Sequence, residues 1–273
     1  MNMPISDELI HMALKEDIGS GDITSISTTP EEEKAIAEVV AKQEGIICGL
    51  FLAEKIFSYL EKSAEIKVNF QDGDPVKQGD IVVKISGSAR TILTGERVFL
   101  NFVQRLSGIA TLTKKFADLA EGAKILDTRK TTPLFRKIER YAVQKGGGTN
   151  HRFNLEDMVM IKENHIEVAG GIRKAVLAAR QTTKKIEVEV TNLEELEEAL
   201  DVGVDRIMLD NMSVKDMKEA VQRVAGNVEL EASGNVTLQT VADIAGTGVD
   251  FISVGAITHS APALDLSLMV YLR

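Results

Sequence analysis

Nine Lys or Arg and only four Asp or Glu lie between Lys124 and Lys162, in a chain of 273 residues with a formal net charge of -9. Cations concentrated in one stretch of an acidic chain point to a bound anion. They come in tight groups: Arg129-Lys130 with Thr128 just before, then His151-Arg152, then Lys162. Each group stands at or just past an apolar run, where a strand end would set it on the rim of a pocket. The bland alternative is a solvated face, the usual meaning of a charge run.

Two further sets of residues favour the anion site. Glu189 and Asp210 fall at or near the ends of the apolar runs IEVEV and RIMLD. Paired carboxylates at successive strand ends can hold Mg²⁺ through water or hydrogen-bond a ribose diol, and either one alone can equally be a structural ion-pair partner. Ser233-Gly234-Asn235 and Val254-Gly255-Ala256 each follow a strand-like run and precede a helical window. Backbone N–H groups and helix dipoles there could cradle one phosphate.

Other candidate motifs carry less. Gly146-Gly147-Gly148 lacks the Lys-Ser/Thr of a nucleotide P-loop and reads as a flexible connector. His151 and His165 are too far apart for a helical zinc motif, and His11 and His259 read as structural. The single Cys48, in GIICGL, has no partner for a disulfide or a metal site and reads as a small buried hydrophobe. Lys162 at a strand end could form a Schiff base, which would make the chain an aldolase-like enzyme.

The elements that must position these groups follow from periodicity. Residues 6 to 17 read as a helix with Ser6 as N-cap, broken by the glycines of EDIGSGDIT. AIAEVVAKQ, EIKVNF and DIVVKIS read as strands, the last two joined by DGDPVKQGD as a hairpin. From Thr91 to Leu119 the pattern is helical, with Phe99, Phe102, Val103 and Leu106 on one stripe, Arg97 opposite, and Ser107-Gly108 marking a bend. Thr131-Thr132-Pro133 reads as an N-cap with proline at the first helical position.

Beyond residue 122, short apolar runs alternate with helical windows, and the runs beginning at Ile186, Arg206, Val228 and Val249 recur about every 21 residues, one strand plus one crossover helix. Within them Glu187, Glu189, Glu229, Glu231 and Ser233 occupy the face opposite Ile186, Val188 and Val190. A parallel sheet between helix layers is apolar on both faces, so a charged inner face argues for a barrel with a polar mouth, open or incomplete at six or seven strands. In such a barrel functional groups sit at the C-terminal strand ends, with phosphates at the last two turns.

Composition bounds the rest. A pI near 5.1, no Trp and 4% aromatics make the chain a poor candidate for a nucleic-acid surface. No apolar run reaches membrane-spanning length, and Met1 to Ile10 lacks the order of a signal peptide, so the expectation is a cytoplasmic protein with no membrane partner.

At DTRKTTP, GGGTNHR, MIKENHI, IEVEV, IMLDNM, EASGN and FISVGAITHS, and also at EDIGSGDIT and ERVFLNFVQRLSGIATLT, the chain resembles the quinolinate phosphoribosyltransferase family. The resemblance runs over nearly the whole length. It implies a homodimer of subunits that join a small α/β sandwich to an open α/β barrel. Residues 1–108 would form the sandwich and 109–263 the barrel, with 264–273 packing back on the sandwich.

The implied reaction joins quinolinate to phosphoribosyl pyrophosphate with Mg²⁺, giving nicotinate mononucleotide, pyrophosphate and carbon dioxide. By position, Arg129, Arg152, Lys162 and Arg97 of the partner subunit would bind the carboxylates or the pyrophosphate, with Lys130 and His151 beside them. Glu189 and Asp210 would approach ribose and metal, and Ser233, Gly234 and Gly255 the 5′-phosphate. The run Pro133-Leu134-Phe135-Arg136 lacks a glycine common after the proline, and Asn235 stands where a second glycine is frequent. A related protein associated with molybdenum transport shares part of the motif set, but TNHR with EASGN favours the biosynthetic enzyme. A non-catalytic phosphate-ligand sensor is the remaining alternative, disfavoured by the presence of both Glu189 and Asp210.

Overall fold

The computed structural model describes residues 5–272. In chain order, α1 (Asp7–Ile18) and α2 (Ile23–Thr28) precede β1 (Lys34–Ala41), β2 (Gly45–Ile46), α3 (Phe51–Leu60), β3 (Glu65–Val68), β4 (Pro75–Val76) and β5 (Ile81–Ser88). The long helix α4 (Ala89–Leu119) follows, then β6 (Lys124–Leu126), α5 (Arg136–Lys145), β7 (Val159–Ile161), α6 (Glu163–Ala169) and α7 (Ile172–Ala179). The chain continues through β8 (Ile186–Val190), α8 (Leu193–Val202), β9 (Arg206–Asp210), α9 (Val214–Val224) and β10 (Glu229–Ser233). It ends with α10 (Val241–Ala245), β11 (Phe251–Ser253), α11 (Ala256–His259) and β12 (Leu266–Leu272).

Contacts divide these elements into two compact units. One comprises Met1–Leu112, Thr132–Gly146 and Ala261–Arg273, the other Thr113–Thr131 and Gly147–Ser260. These contact units interleave along the chain and so do not bear on the expected boundary at 108/109. That position lies inside α4, which runs unbroken, and the 132–146 segment joins the first unit because Glu139, buried in α5, receives the Arg105 guanidinium at 2.5 Å.

In the first unit four strands form an antiparallel sheet in the order β12-β1-β5-β3. Alternation on β1 buries Ala35, Ala37, Val39 and Ala41. Ser6 caps α1 by accepting the Leu9 N–H at 3.3 Å, and the stripe Phe99, Phe102, Val103 and Leu106 of α4 is buried, as periodicity predicts. Cys48 is buried too.

Two local expectations fail in this unit. Ser107-Gly108 makes no break in α4; a Cβ at Gly108 would meet the Pro262 carbonyl oxygen at 2.0 Å, so the glycine permits close approach of backbone. The helix after Pro133 starts only at Arg136, because the Phe135 N–H closes a turn onto the Thr132 carbonyl at 3.0 Å and the Thr132 N–H is drawn to Glu139 Oε2 at 3.1 Å. Leu134, the residue after Pro133, adopts a left-handed φ of 68°.

The second unit is built on a six-stranded parallel sheet in the order β6-β11-β10-β9-β8-β7. Helices link successive strands, as the 21-residue recurrence requires. The edge strands β6 and β7 are not paired with each other, so the barrel is open. Among the described residues no helix is long and apolar enough to cross a membrane.

Candidate active site

Strand register decides which side chains share the inner face. Parallel pairing aligns Met160, Glu187, Arg206 and Glu229 in one row across β7 to β10. Two residues further along, Glu189, Met208, Glu231 and Phe251 form the next row, and Asp210 pairs with Ser233 in a third. Since a strand presents every second residue to one side, the alternation in IEVEV and VELEAS becomes a stack of polar rows running from floor to rim.

At the C-terminal strand ends lies a cavity of about 180 Å³. Its wall carries Thr128, Arg129, Lys130, His151, Arg152, Lys162 and Ser233, all of them expected from sequence, together with Met160, Met208 and Ser253, which were not. Three cationic groups separated by up to 33 positions in sequence thus converge, because β6 and β7 deliver them from the two edges of one sheet.

Local bonds hold each group. The Lys130 N–H donates to Thr128 Oγ1 at 3.1 Å, and the Lys130 carbonyl accepts from Thr258 Oγ1 at 2.8 Å. The Arg152 guanidinium donates to the Met158 carbonyl at 2.9 Å and touches Met160 Sδ at 3.5 Å. Burial and the neighbouring Arg129 charge both push the Arg152 pKa below the ordinary arginine range. Two neighbouring guanidiniums are stabilised by an anion between them.

Lys162 lies at the N-terminus of α6 with its Nζ in contact with the Glu189 carboxylate, and its backbone N–H donates to His165 Nδ1 at 3.0 Å. His165 is thereby a local cap. Asp210 accepts from Asn211 Nδ2 at 2.7 Å, and Asn211 Oδ1 accepts from Asn235 Nδ2 at 3.0 Å. Gly234 has φ 95° and Asn235 φ 50°, so the turn after β10 uses the left-handed geometry that asparagine tolerates. A Cβ on Gly255 would lie 3.1 Å from Lys130 Cδ, which puts the second glycine turn beside the first cation pair.

The helix-dipole part of the phosphate expectation is corrected. After Ser233-Gly234-Asn235 the next helix, α10, begins only at Val241, and α11 after Val254-Gly255 has four residues. Neither sums enough aligned peptides to matter. Val254 N–H is committed to the Leu126 carbonyl at 3.0 Å, leaving the turn residues Gly255 and Ala256 as the candidates for backbone contact. Arg97 lies exposed on α4 in the first unit and does not line this cavity. His259 meets Ser260, and His11 stacks on Tyr59 at 4.0 Å.

Alternation in sequence puts Glu187 and Glu231 on the charged inner face but gives them no role at the floor. Glu187 and Glu231 are fully buried, and His151 Nε2 lies 3.4 Å from the first and 3.2 Å from the second. Arg206 reaches Glu231 at 3.2 Å and Glu229 at 3.0 Å while its guanidinium covers the Phe251 ring at 4.0 Å. Desolvation opposes charge on His151, but bonding to the two carboxylates outweighs it and raises its pKa to about 9. Desolvation raises Glu187 as well.

The Arg152 N–H donates to His151 Nδ1 at 2.7 Å, which requires an unprotonated Nδ1. The ring is thus oriented with Nδ1 toward the backbone and Nε2 toward the two carboxylates. His151 was expected beside the substrate cations. Its ring lines the cavity but both nitrogens are turned to protein partners.

Comparison with known proteins places the chain. Residues 22–107 match the quinolinate phosphoribosyl transferase N-terminal domain, and residues 109–269 match the C-terminal domain. A quinolinate phosphoribosyltransferase [decarboxylating] of Nicotiana tabacum is 46% identical over 96% of this chain and 81% of its own length. The structure of a nicotinate-nucleotide pyrophosphorylase from Francisella tularensis superposes with a TM-score of 0.93 at 45% identity, covering 97% of this chain and 95% of that one. NadC from Streptococcus pyogenes gives 0.94 at 40% identity, over 98% and 96%. With both domains matched in order and the full architecture shared, the chain belongs to the quinolinate phosphoribosyltransferase family.

Proposed function

We propose that the chain transfers the phosphoribosyl group of phosphoribosyl pyrophosphate to quinolinate with decarboxylation, a step of NAD biosynthesis. The observation that carries this reading is the meeting of Arg129, Lys130, Arg152 and Lys162 around one cavity in an acidic protein. Both substrates are polyanions. Arg129 and Arg152 suit the quinolinate carboxylates because a guanidinium fork binds carboxylate bidentately. The Ser233-Gly234-Asn235 and Gly255-Ala256 turns suit the 5′-phosphate, with Lys130 lying against the second.

In this scheme the C1–O bond to pyrophosphate breaks, and cations around the leaving group stabilise its growing charge. The pyridine nitrogen lone pair then forms the N–C1 bond, making the ring cationic. The bond from the adjacent ring carbon to its carboxylate breaks next. Its electrons stay on carbon beside the positive nitrogen, and a proton taken up there completes nicotinate mononucleotide. Positioning does most of the catalysis. The Schiff-base alternative meets an ammonium of Lys162 already seated on Glu189, a poor nucleophile.

The donor chemistry of Glu189 and Asp210, two carboxylates without imidazole or thiolate, fits Mg²⁺. Each is already engaged, by Lys162 and Asn211 respectively, so we place the ion on them through water. When bound, Mg²⁺ supplies charge neutralisation to the pyrophosphate. We further propose a homodimer in which Arg97 of the partner subunit completes the site, acting in the cytoplasm; the tobacco relative is named mitochondrial, so the fold does not dictate the compartment.

Incubation of the purified chain with quinolinate, phosphoribosyl pyrophosphate and Mg²⁺ should yield nicotinate mononucleotide and carbon dioxide. Folded protein that forms neither would overturn the assignment. Mixing Arg97→Ala subunits with Lys162→Met subunits should restore part of the lost activity; no recovery would sink the shared site.

A further inference from the structure

The buried group beneath the cavity has a branched connectivity that a purely structural ion pair does not need. Glu231 Oε2 lies 3.2 Å from His151 Nε2, and its other oxygen accepts from Ser253 Oγ at 2.5 Å. His151 carries the Arg152 N–H on Nδ1 at 2.7 Å, while Asp127, fully buried, accepts the His151 N–H at 2.8 Å. Ser253 ends β11, immediately before Val254-Gly255. One carboxylate therefore touches the lead to the Arg152 end of the cavity and the lead to its glycine-turn end. Glu187 contacts only the first branch, through His151 Nε2 at 3.4 Å.

We propose that Glu231 and Glu187 are positioning residues of unequal reach: Glu231 fixes both the Arg152 segment and the end of β11, whereas Glu187 fixes the Arg152 segment alone. The inference rests on the proposed reading of the cavity, in which Arg152 meets the dicarboxylate and the turn after β11 meets the phosphate.

A cation site is the competing use of the same atoms, since donor atoms of His151, Glu187 and Glu231 all lie within 4.8 Å of one another. Arg206 disfavours it. Its guanidinium already stands 3.2 Å from Glu231, supplying positive charge where an ion would sit. A ring nitrogen that accepts the Arg152 N–H, and another that faces both carboxylates, also match an orienting role. A buried hydrogen-bonded ring is stiff, and displacement of a catalytic cation by about 1 Å can cost two orders of magnitude in rate.

The test measures dissociation constants of the full-length protein for quinolinate and for phosphoribosyl pyrophosphate with Mg²⁺, separately, by calorimetry. Glu187→Gln should weaken quinolinate about tenfold and leave phosphoribosyl pyrophosphate within about twofold, whereas Glu231→Gln should weaken both about tenfold. Ser253→Ala cuts only the β11 branch and should weaken phosphoribosyl pyrophosphate alone, which keeps the test available if Glu231→Gln does not fold.

Folded variants with lowered melting temperature but both constants unchanged would show a merely structural cluster and overturn the inference. So would Glu187→Gln weakening both ligands equally, or one tightly bound metal per chain that disappears in Glu187→Gln. Wild-type protein that binds neither ligand would instead sink the functional reading itself.

Discussion

Replacing Gly234 by Ala perturbs the turn after β10 in two separable ways. At φ 95° an L-residue is strained, which costs about 1–2 kcal/mol. The new Cβ would also stand 2.2 Å from Asn211 Oδ1 and 2.5 Å from its Cγ, so the Asn211 amide must swing away. A side-chain end can move, and the cost is the bonds it gives up: to Asp210 at 2.7 Å and from Asn235 at 3.0 Å. Exposed and partly replaced by water, these contribute about 0.5–1 kcal/mol each. The expected loss is therefore about 2–4 kcal/mol in urea unfolding.

Asn211→Ala alone should lose the same bonds and add the strain of an alanine at a left-handed φ of 54°, about 2–4 kcal/mol together. In the double variant the collision is gone and the same bonds cannot be lost twice. Its destabilisation should fall short of the sum of the singles by about 1 kcal/mol or more. The same cycle read as the dissociation constant for phosphoribosyl pyrophosphate should show both single variants weakened. Strict additivity in unfolding would refute the argument, because the Asn211 amide would then not be what the Cβ displaces.

Lys162→Met removes a cation from the cavity and leaves Glu189 without its ammonium; kcat/KM should fall by about two to three orders of magnitude, and a loss below about tenfold would remove Lys162 from the charge-stabilising set. Gly108→Ala gains about 1 kcal/mol of helix propensity but drives a Cβ against the Pro262 carbonyl oxygen at 2.0 Å, a backbone atom, so net destabilisation of about 2 kcal/mol is expected, and a stabilised variant would contradict the close approach. His151 is raised to about 9, above its unfolded value of about 6.5. That stabilisation is fully present below about pH 6.5 and is lost as pH climbs through about 9, so the melting temperature of the wild type should drop over this range more than that of His151→Gln; parallel curves would refute it.

Much of the site could be read from residue order because β-strand periodicity and the strand-end rule are both local. Lys162, Glu189, Asp210 and Ser233 each lie at a strand end that the apolar runs delimit, and the structure seats Lys162 on Glu189 and pairs Asp210 with Ser233. The helix starts were less legible. Pro133 looked like a first helical residue, but the buried Glu139 takes the Thr132 N–H and delays α5 by a turn, a tertiary effect with no local signature.

Depth is what alternation cannot supply. Period two places Glu187 and Glu189 on one face, and by pattern alone they are equivalent. Glu187 is buried completely while Glu189, one row further along, stays in reach of Lys162 at the rim; row alone does not set this, because Glu231 shares the Glu189 row and is buried completely too. The two carboxylates therefore face opposite physics. At the rim the Glu189 carboxylate shares a partly solvated setting with the Lys162 ammonium. At the floor, desolvation pushes the Glu187 pKa up, and the carboxyl is held against the His151 ring. The same residue type, two positions apart, is thus placed for substrate contact in one row and for orientation in the row beneath it.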